Sequence, residues 1–322
     1  MERIPHKDQE KQHLFSSSYT FDSVKINLIS NDPQTMDFCN EYFELYSQID
    51  TATQDRDWTV AQRVDLSAQT HYWEADEKNK LVTVFGKDYD SRLTMRIIRS
   101  LVMLEDINIG KVMFKGGAFV NKDGQGIALM GEKRSGKTSL LMGYMLRNDQ
   151  TARFVTNSHV ALSLEGERVY AYGYPISVGV RLNVLEGMQK RGNERVTPVI
   201  DDLKSNLQPG GENRYYIEPM RLAKYLNGRI ASKTELNKII LVKSVSANTF
   251  SNIRKLTIDE VEDYFRNYYI KHLKSDGWHK LYKVDANQHI NSIRRMLEKV
   301  DLYELSFNIN NHTDNLNLLD QI

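Results

Sequence analysis

Eight consecutive residues, Gly131-Glu132-Lys133-Arg134-Ser135-Gly136-Lys137-Thr138, carry the spacing G-x-x-x-x-G-K-[ST]. Glycine at the first and sixth positions permits backbone angles that a side chain resists, so successive N–H groups can turn inward around phosphate oxygens. Lys137 is then the point charge for the β- and γ-phosphates, and the Thr138 hydroxyl is the expected ligand of Mg²⁺. Gly131, Glu132, Lys133, Arg134, Ser135, Gly136, Lys137, Thr138 and Ser139 together form the expected nucleotide site. The expected cofactors are ATP or GTP with Mg²⁺, and no residue pattern selects the base.

Such a loop works only if a strand delivers it and a helix leaves it. Ile127-Ala128-Leu129-Met130 is a short apolar run of the kind that forms a buried strand. From Thr138 onward, Leu140, Leu141, Tyr144 and Met145 recur at helical spacing, and the N-terminus of that helix adds partial positive charge at the phosphates. The order strand, loop, helix is what separates a phosphate-binding loop from a chance glycine-rich turn.

The chain has 322 residues, 40% of them hydrophobic, enough for one large domain or two ordinary ones. Lys+Arg 43 against Asp+Glu 42 leaves a formal charge of +1, which argues against a general nucleic-acid binder or an acidic-membrane binder. The single Cys39 cannot form an internal disulfide, and residues 1–10 lack the apolar stretch of a signal peptide. No apolar run approaches the ~18 residues of a membrane span. A cytoplasmic location is expected, with self-association left open.

Three domains are expected: an N-terminal α+β module over 1–90, a phosphate-loop core over 91–250, and a C-terminal helical segment with a returning strand over 251–322. In the first, residues 1–12 form a polar end, a strand from Tyr19 alternates through Phe21, Val24, Ile26 and Leu28, and Asp32-Pro33 opens a helix. Asp90-Ser91 caps the next helix, with Leu93, Ile97, Ile98, Leu101 and Leu104 as its apolar stripe. In the core, 112–120 forms one strand and Asn121-Lys122-Asp123-Gly124 turns it into the strand entering the loop. Polar stretches 189–193 and 205–213 suggest surface loops around a weakly patterned segment. Thr257-Ile258-Asp259-Glu260 is a capping box, followed by a helix through Val261, Tyr264, Phe265, Tyr268 and Tyr269. A helix over 285–300, with Ile290, Ile293 and Leu297 buried, a strand over 302–309 and a frayed Asn-rich end over 308–317 complete the expectation.

The neighbours of the loop narrow the family. Phe114-Lys115-Gly116-Gly117-Ala118-Phe119-Val120, the Gly131-Glu132 opening, Phe154-Val155-Thr156-Asn157-Ser158-His159-Val160-Ala161-Leu162 and Tyr174-Pro175-Ile176 together resemble the HPr kinase/phosphorylase-like family, which includes peptide kinases of natural-product pathways. The resemblance covers about residues 101–181. It implies an α/β (α+β) chain with an HPr kinase/PEP carboxykinase-like P-loop core, a twisted sheet wrapping the loop helix. It also implies an ATP-dependent kinase acting on a peptide or small hydroxylated metabolite, in a biosynthetic pathway.

The departures from the family are chemical. An Asp-Asp or Asn-Asp pair is usual where this chain has Asn157-Ser158, and a histidine is common where it has Gly116 beside Lys115. Serine has no useful basicity near neutral pH, so a general base must be His159, a carboxylate such as Asp123 or Glu132, or the substrate itself. The candidate catalytic residues are therefore Lys137, Asn157, Ser158 and His159, with Arg181 and Lys115 as candidate substrate contacts. The alternative is a nucleotide-binding regulatory or scaffold protein without transfer activity. An ATPase would need an apolar strand ending in an acid; Thr197-Pro198-Val199-Ile200-Asp201 comes nearest, and its proline argues against a central strand.

Overall fold

The computed structural model describes residues 14–47, 57–147, 151–246, 248–273, 286–308 and 312–322, without the side chains of 212, 268–273, 286–290 and 312–313. The expected polar end over 1–12, Asp285, and the side chains of Tyr268, Tyr269 and Ile290 lie outside this set. The chain is mixed α/β and divides into two compact units, the division in sequence falling between Glu105 and Asp106.

The first unit holds β1 (Phe15–Thr20), β2 (Lys25–Ser30), α1 (Pro33–Phe43), β3 (Trp58–Val64), β4 (Tyr72–Asp76), β5 (Leu81–Gly86) and most of α2 (Ser91–Asn108). Its five strands lie in the order β1-β2-β3-β5-β4, with β2, β3 and β5 parallel and both edges antiparallel. Asp32 caps α1, accepting from Gln34 N at 3.2 Å and Thr35 N at 2.9 Å, and Asp90 caps α2 by accepting from Leu93 N at 2.9 Å. The expected strand from Tyr19 is two strands. Phe21 N donates to Val24 O at 2.9 Å, closing a tight turn between β1 and β2, and the hydrophobic residues of that turn imitate strand alternation.

The second unit begins with β6 (Val112–Phe114), β7 (Gly116–Val120), β8 (Gly126–Met130), α3 (Lys137–Met145), β9 (Arg153–Thr156), β10 (Val160–Glu165) and β11 (Arg168–Tyr172). It continues through β12 (Val178–Arg181), α4 (Leu182–Lys190), α5 (Thr197–Asn206), β13 (Arg214–Ile217) and α6 (Pro219–Tyr225). It ends with β14 (Lys233–Ser244), β15 (Asn252–Lys255), α7 (Ile258–Leu273), α8 (Ala286–Leu297), β16 (Asp301–Phe307) and α9 (His312–Leu319). The main sheet runs β6-β10-β11-β14-β8-β7-β9, with β16 on β14 and β15 on β16; β12 and β13 form a separate two-stranded ribbon.

Three strands position the loop. β8, β14 and β16 are parallel neighbours, Met130 opposite Leu241 and Ser244 opposite Phe307, so all three point their C-terminal ends the same way. Their residues alternate between two cores because successive strand side chains face opposite sides. Ile127, Leu129, Ile240 and Val242 pack with α3, α4, α5, α6 and α9 on one side, whereas Ala128, Met130, Ile239 and Leu241 pack with α7 and α8 on the other. A strand buried on both faces has no room for polar alternation, which is why Ile127 to Met130 is continuously apolar.

Several expectations change in this unit. Residues 112–120 are two strands broken at Lys115, because β6 pairs with β10 while β7 pairs with β8 and β9. The weakly patterned segment between the two polar stretches is a 3-10 turn, Glu194–Val196, and α5, and the first stretch begins inside α4; Leu185 and Met188 of α4 and Val199, Ile200 and Leu203 of α5 are buried in the loop-side core. Thr197-Pro198 opens α5, where proline fits the first turn, and Asp201 is exposed on that helix. Residues 309–311 of the Asn-rich end lie outside the described set; the described part is no frayed tail. Asn308 and Asn315 are buried, Asn315 Nδ2 donates to Asn308 O at 2.7 Å, and α9 brings Leu316 and Leu319 into the core beside α3. Arg147 Nη1 and Tyr144 OH both donate to Asp320, at 2.8 and 3.1 Å, fastening that end to the loop helix.

Candidate functional site

The loop leaves β8 at Gly131 and enters α3 at Lys137. Gly131 has φ +145°, and a Cβ there would stand 2.4 Å from Val242 O. Gly136 has φ +98°, and its Cβ would stand 2.4 Å from the Phe307 ring. Both positions therefore require glycine twice over, by backbone angle and by space. Arg134 also holds a left-handed conformation at φ +72°, an uncommon state for a side chain of that size.

Lys137 folds back over the loop. Its Nζ donates to Gly131 O at 2.8 Å, Glu132 O at 2.5 Å and Ser135 Oγ at 3.2 Å. Burial, and then Lys115 nearby, push its ammonium group down to about 8, with Glu132 opposing. Among the described residues no carboxylate bonds this ammonium group, which therefore gains most from an incoming anion. At the first turn of α3, Thr138 Oγ1 donates to Asn157 Oδ1 at 3.1 Å, and Asn157 Nδ2 donates to Ser158 Oγ at 3.1 Å.

These groups open into a cavity of about 680 Å³ at the C-terminal ends of β8, β14 and β16. Ligands of open α/β sheets bind at such strand ends. Lys115, Lys133, Arg134, Lys137, Arg181 and Arg214 line it, and among the described residues no carboxylate does. Thr138, Ser139, Asn157 and Ser158 supply its hydroxyl and amide groups. Lys115 reaches the wall because the β6–β7 break lies at that residue, and Gly116 N donates to Ser158 O at 3.3 Å, tying the break to the Asn157-Ser158 turn. Ser158 has φ +73°.

The remaining expected residues lie elsewhere. Glu132 and Ser135 line a smaller cavity of about 360 Å³ with Leu241 and Tyr264, and Lys133 and Arg134 border both. His159 does not line the larger cavity; its carbonyl accepts from Thr156 Oγ1 at 2.7 Å. Asp123 lies in the turn before β8, a strand of five residues and so ~17 Å long, at the opposite end from the loop. Arg214 and Phe307 are lining residues that sequence reasoning missed. The alternation of Tyr215 and Ile217, both buried, was the available sign of the strand that carries Arg214.

The residues fit a phosphate group at the loop. For Mg²⁺, the Thr138 hydroxyl and Asn157 Oδ1 offer two adjacent oxygen atoms, a donor set that would suit an ion taking the rest of its shell from phosphates and water. Among the described residues no cluster of three or more His, Cys, Asp or Glu side chains forms a metal cage, and no helix is long and apolar enough to cross a membrane.

No family model matches this sequence, and no curated protein matches it. Among solved structures, the chain is similar to the Hpr(Ser) kinase/phosphatase from Coxiella burnetii at 10% identity and a TM-score of 0.34, over 65% of this chain and 94% of that one.

Proposed function

We propose that this chain is an ATP-dependent kinase that transfers a phosphoryl group to a hydroxyl on a peptide or small metabolite, with GTP as the other candidate donor. The observation that carries the proposal is the strand-end cavity in which, among the described residues, the loop, Lys137 and five further cations surround a space with no carboxylate on its wall. The core would be of the HPr kinase/PEP carboxykinase kind, in keeping with the residues flanking the loop.

In this reading the loop amides and Lys137 hold the β- and γ-phosphates, and Thr138 with Asn157 holds Mg²⁺. Bound Mg²⁺ would neutralise charge developing on the phosphate oxygens. Asn157 and Ser158 orient the acceptor hydroxyl. Its proton leaves on a transferred phosphate oxygen, since among the described residues no carboxylate or histidine side chain lines the cavity. Phosphoryl transfer depends mostly on positioning and electrostatic stabilisation, so a missing base slows the step without forbidding it.

The second reading is a nucleotide-binding regulatory or scaffold protein, favoured by serine at 158 where the family carries a carboxylate. Ser158→Asp separates the two. Asp is more at ease than most residues at the left-handed angles of Ser158, so the loop should keep its shape. Mass spectrometry of candidate peptides and metabolites incubated with ATP and Mg²⁺ should show an added phosphoryl group, at similar or higher yield in Ser158→Asp. Tight nucleotide binding with no transfer by either protein would favour the regulatory reading.

A further inference from the structure

The following rests on the kinase reading and concerns the class of its acceptor. Of the six cations on the cavity wall, Lys133, Arg134 and Lys137 belong to the loop; Lys115, Arg181 and Arg214 come from outside it. Arg181 closes β12 and Arg214 opens β13, and the antiparallel register sets the two directly opposite one another. Strand alternation puts Val178, Val180, Tyr215 and Ile217 into the core, leaving Gly179, Arg181, Arg214 and Tyr216 on the other face. Arg214 lies across Gly179, where a Cβ would stand 2.8 Å from Arg214 Cδ. The missing side chain at 179 is what lets the arginine stem lie over β12.

Like charges directly opposite on a strand pair destabilise it. An anion between two guanidinium groups reverses that sign, and each group offers a planar fork matched to carboxylate or phosphate oxygens. The first turn of α4 begins immediately after Arg181, has no acidic residue and no side-chain cap, and also faces the cavity through Val184 and Leu185. Among the described residues no carboxylate pairs with Arg214 or Lys115.

We infer that the acceptor is itself an anion, a hydroxyl compound bearing a carboxylate or phosphate, held between Arg181 and Arg214 on the same cavity wall system that holds Lys137. Transfer then breaks the bond from the γ-phosphorus to the β-bridging oxygen and forms one to the acceptor oxygen, the leaving group being the nucleoside diphosphate. The acceptor's proton ends on the new phosphate ester or in water.

The test uses the full chain saturated with Mg²⁺ and the β,γ-imido analogue of ATP, titrated by calorimetry with glycerol, glycerate and glycerol 3-phosphate. At least one of the two anions should bind about tenfold or more tightly than glycerol, and the tighter of the two identifies carboxylate or phosphate as the recognised group. Arg181→Gln with Arg214→Gln should remove that preference while nucleotide affinity stays within about threefold. Gly179→Ala keeps every charge but displaces the Arg214 stem, and should weaken anion binding without the charge loss. Equal binding of all three probes, or none, overturns the inference. So does a parallel loss of nucleotide affinity in the double variant, which would give the arginine pair to the triphosphate. Failure of the wild-type chain to bind the nucleotide analogue, seen before any probe is added, removes the kinase reading and this inference together.

Discussion

In the proposed function, Lys137 is the residue on which nucleotide binding turns. Its ammonium group rests on two loop carbonyls and one hydroxyl, partners that a phosphate oxygen would outcompete by carrying charge. Lys137→Ala should lower triphosphate affinity by about tenfold or more while the circular dichroism and melting profile stay native. Equal affinity in calorimetry would rule the assignment out. The depressed ionisation of Lys137 adds a second expectation. With a value near 8, the free amine loses its proton as pH rises through 8, and a bound triphosphate favours the charged form. Binding at pH 8.5 should therefore take up a proton, and affinity should fall as pH rises above 8. Calorimetry in buffers of different ionisation enthalpy measures the uptake, which should vanish in Lys137→Ala. The sign for folding is opposite: the unfolded chain holds this proton more tightly, so this group's contribution to stability rises with pH between about 8 and 10.5.

At the scale of elements, the loop is held by what the glycines allow to approach. Phe307, at the C-terminal end of β16, packs where a Cβ of Gly136 would be, and Val242 O of β14 does the same at Gly131. The loop's conformation is thus set by strands more than a hundred residues further along the chain. Gly136→Ala combines a left-handed backbone angle with a clash on an aromatic ring, and should cost at least about 1–3 kcal/mol in chemical denaturation. Nucleotide affinity should fall with it. A variant that kept both stability and affinity would show that the Phe307 contact does not constrain the loop.

Across the second unit, the helix that follows the loop is braced from behind by the end of the chain. Leu319 of α9 is fully buried in the core shared with α3, and Asp320 accepts from both Tyr144 and Arg147. Leu319→Ala should destabilise the unit by about 2–5 kcal/mol, the range for deleting a buried leucine side chain. Equilibrium denaturation reads the loss directly, and a change under about 0.5 kcal/mol would mean that α9 is dispensable to the core. Binding linkage supplies a check at the same scale. Saturating nucleotide should raise the melting temperature of wild type and of Leu319→Ala alike, because the loop is intact in both.

The loop and its flanking elements were legible in the sequence because their causes are local. Glycine, lysine and threonine at fixed spacing, an apolar run before them and helical spacing after them determined the strand, the loop and α3 without reference to distant residues. Caps behaved the same way: Asp32, Asp90 and Glu260, which accepts from Thr257 N, each satisfy backbone groups within three residues. What failed depended on partners far along the chain. The break at Lys115 exists because β6 and β7 join different neighbours, and no local pattern records which strand a segment will pair with. Asn308 and Asn315 look like solvated tail until one bonds the other and α9 covers α3. Arg181 and Arg214 lie far apart in sequence, and only the antiparallel ribbon brings them together. Residue type and short spacing determined which groups could do chemistry; strand pairing over long separations decided which of them share a wall, because a pairing energy belongs to two segments and is written in neither alone.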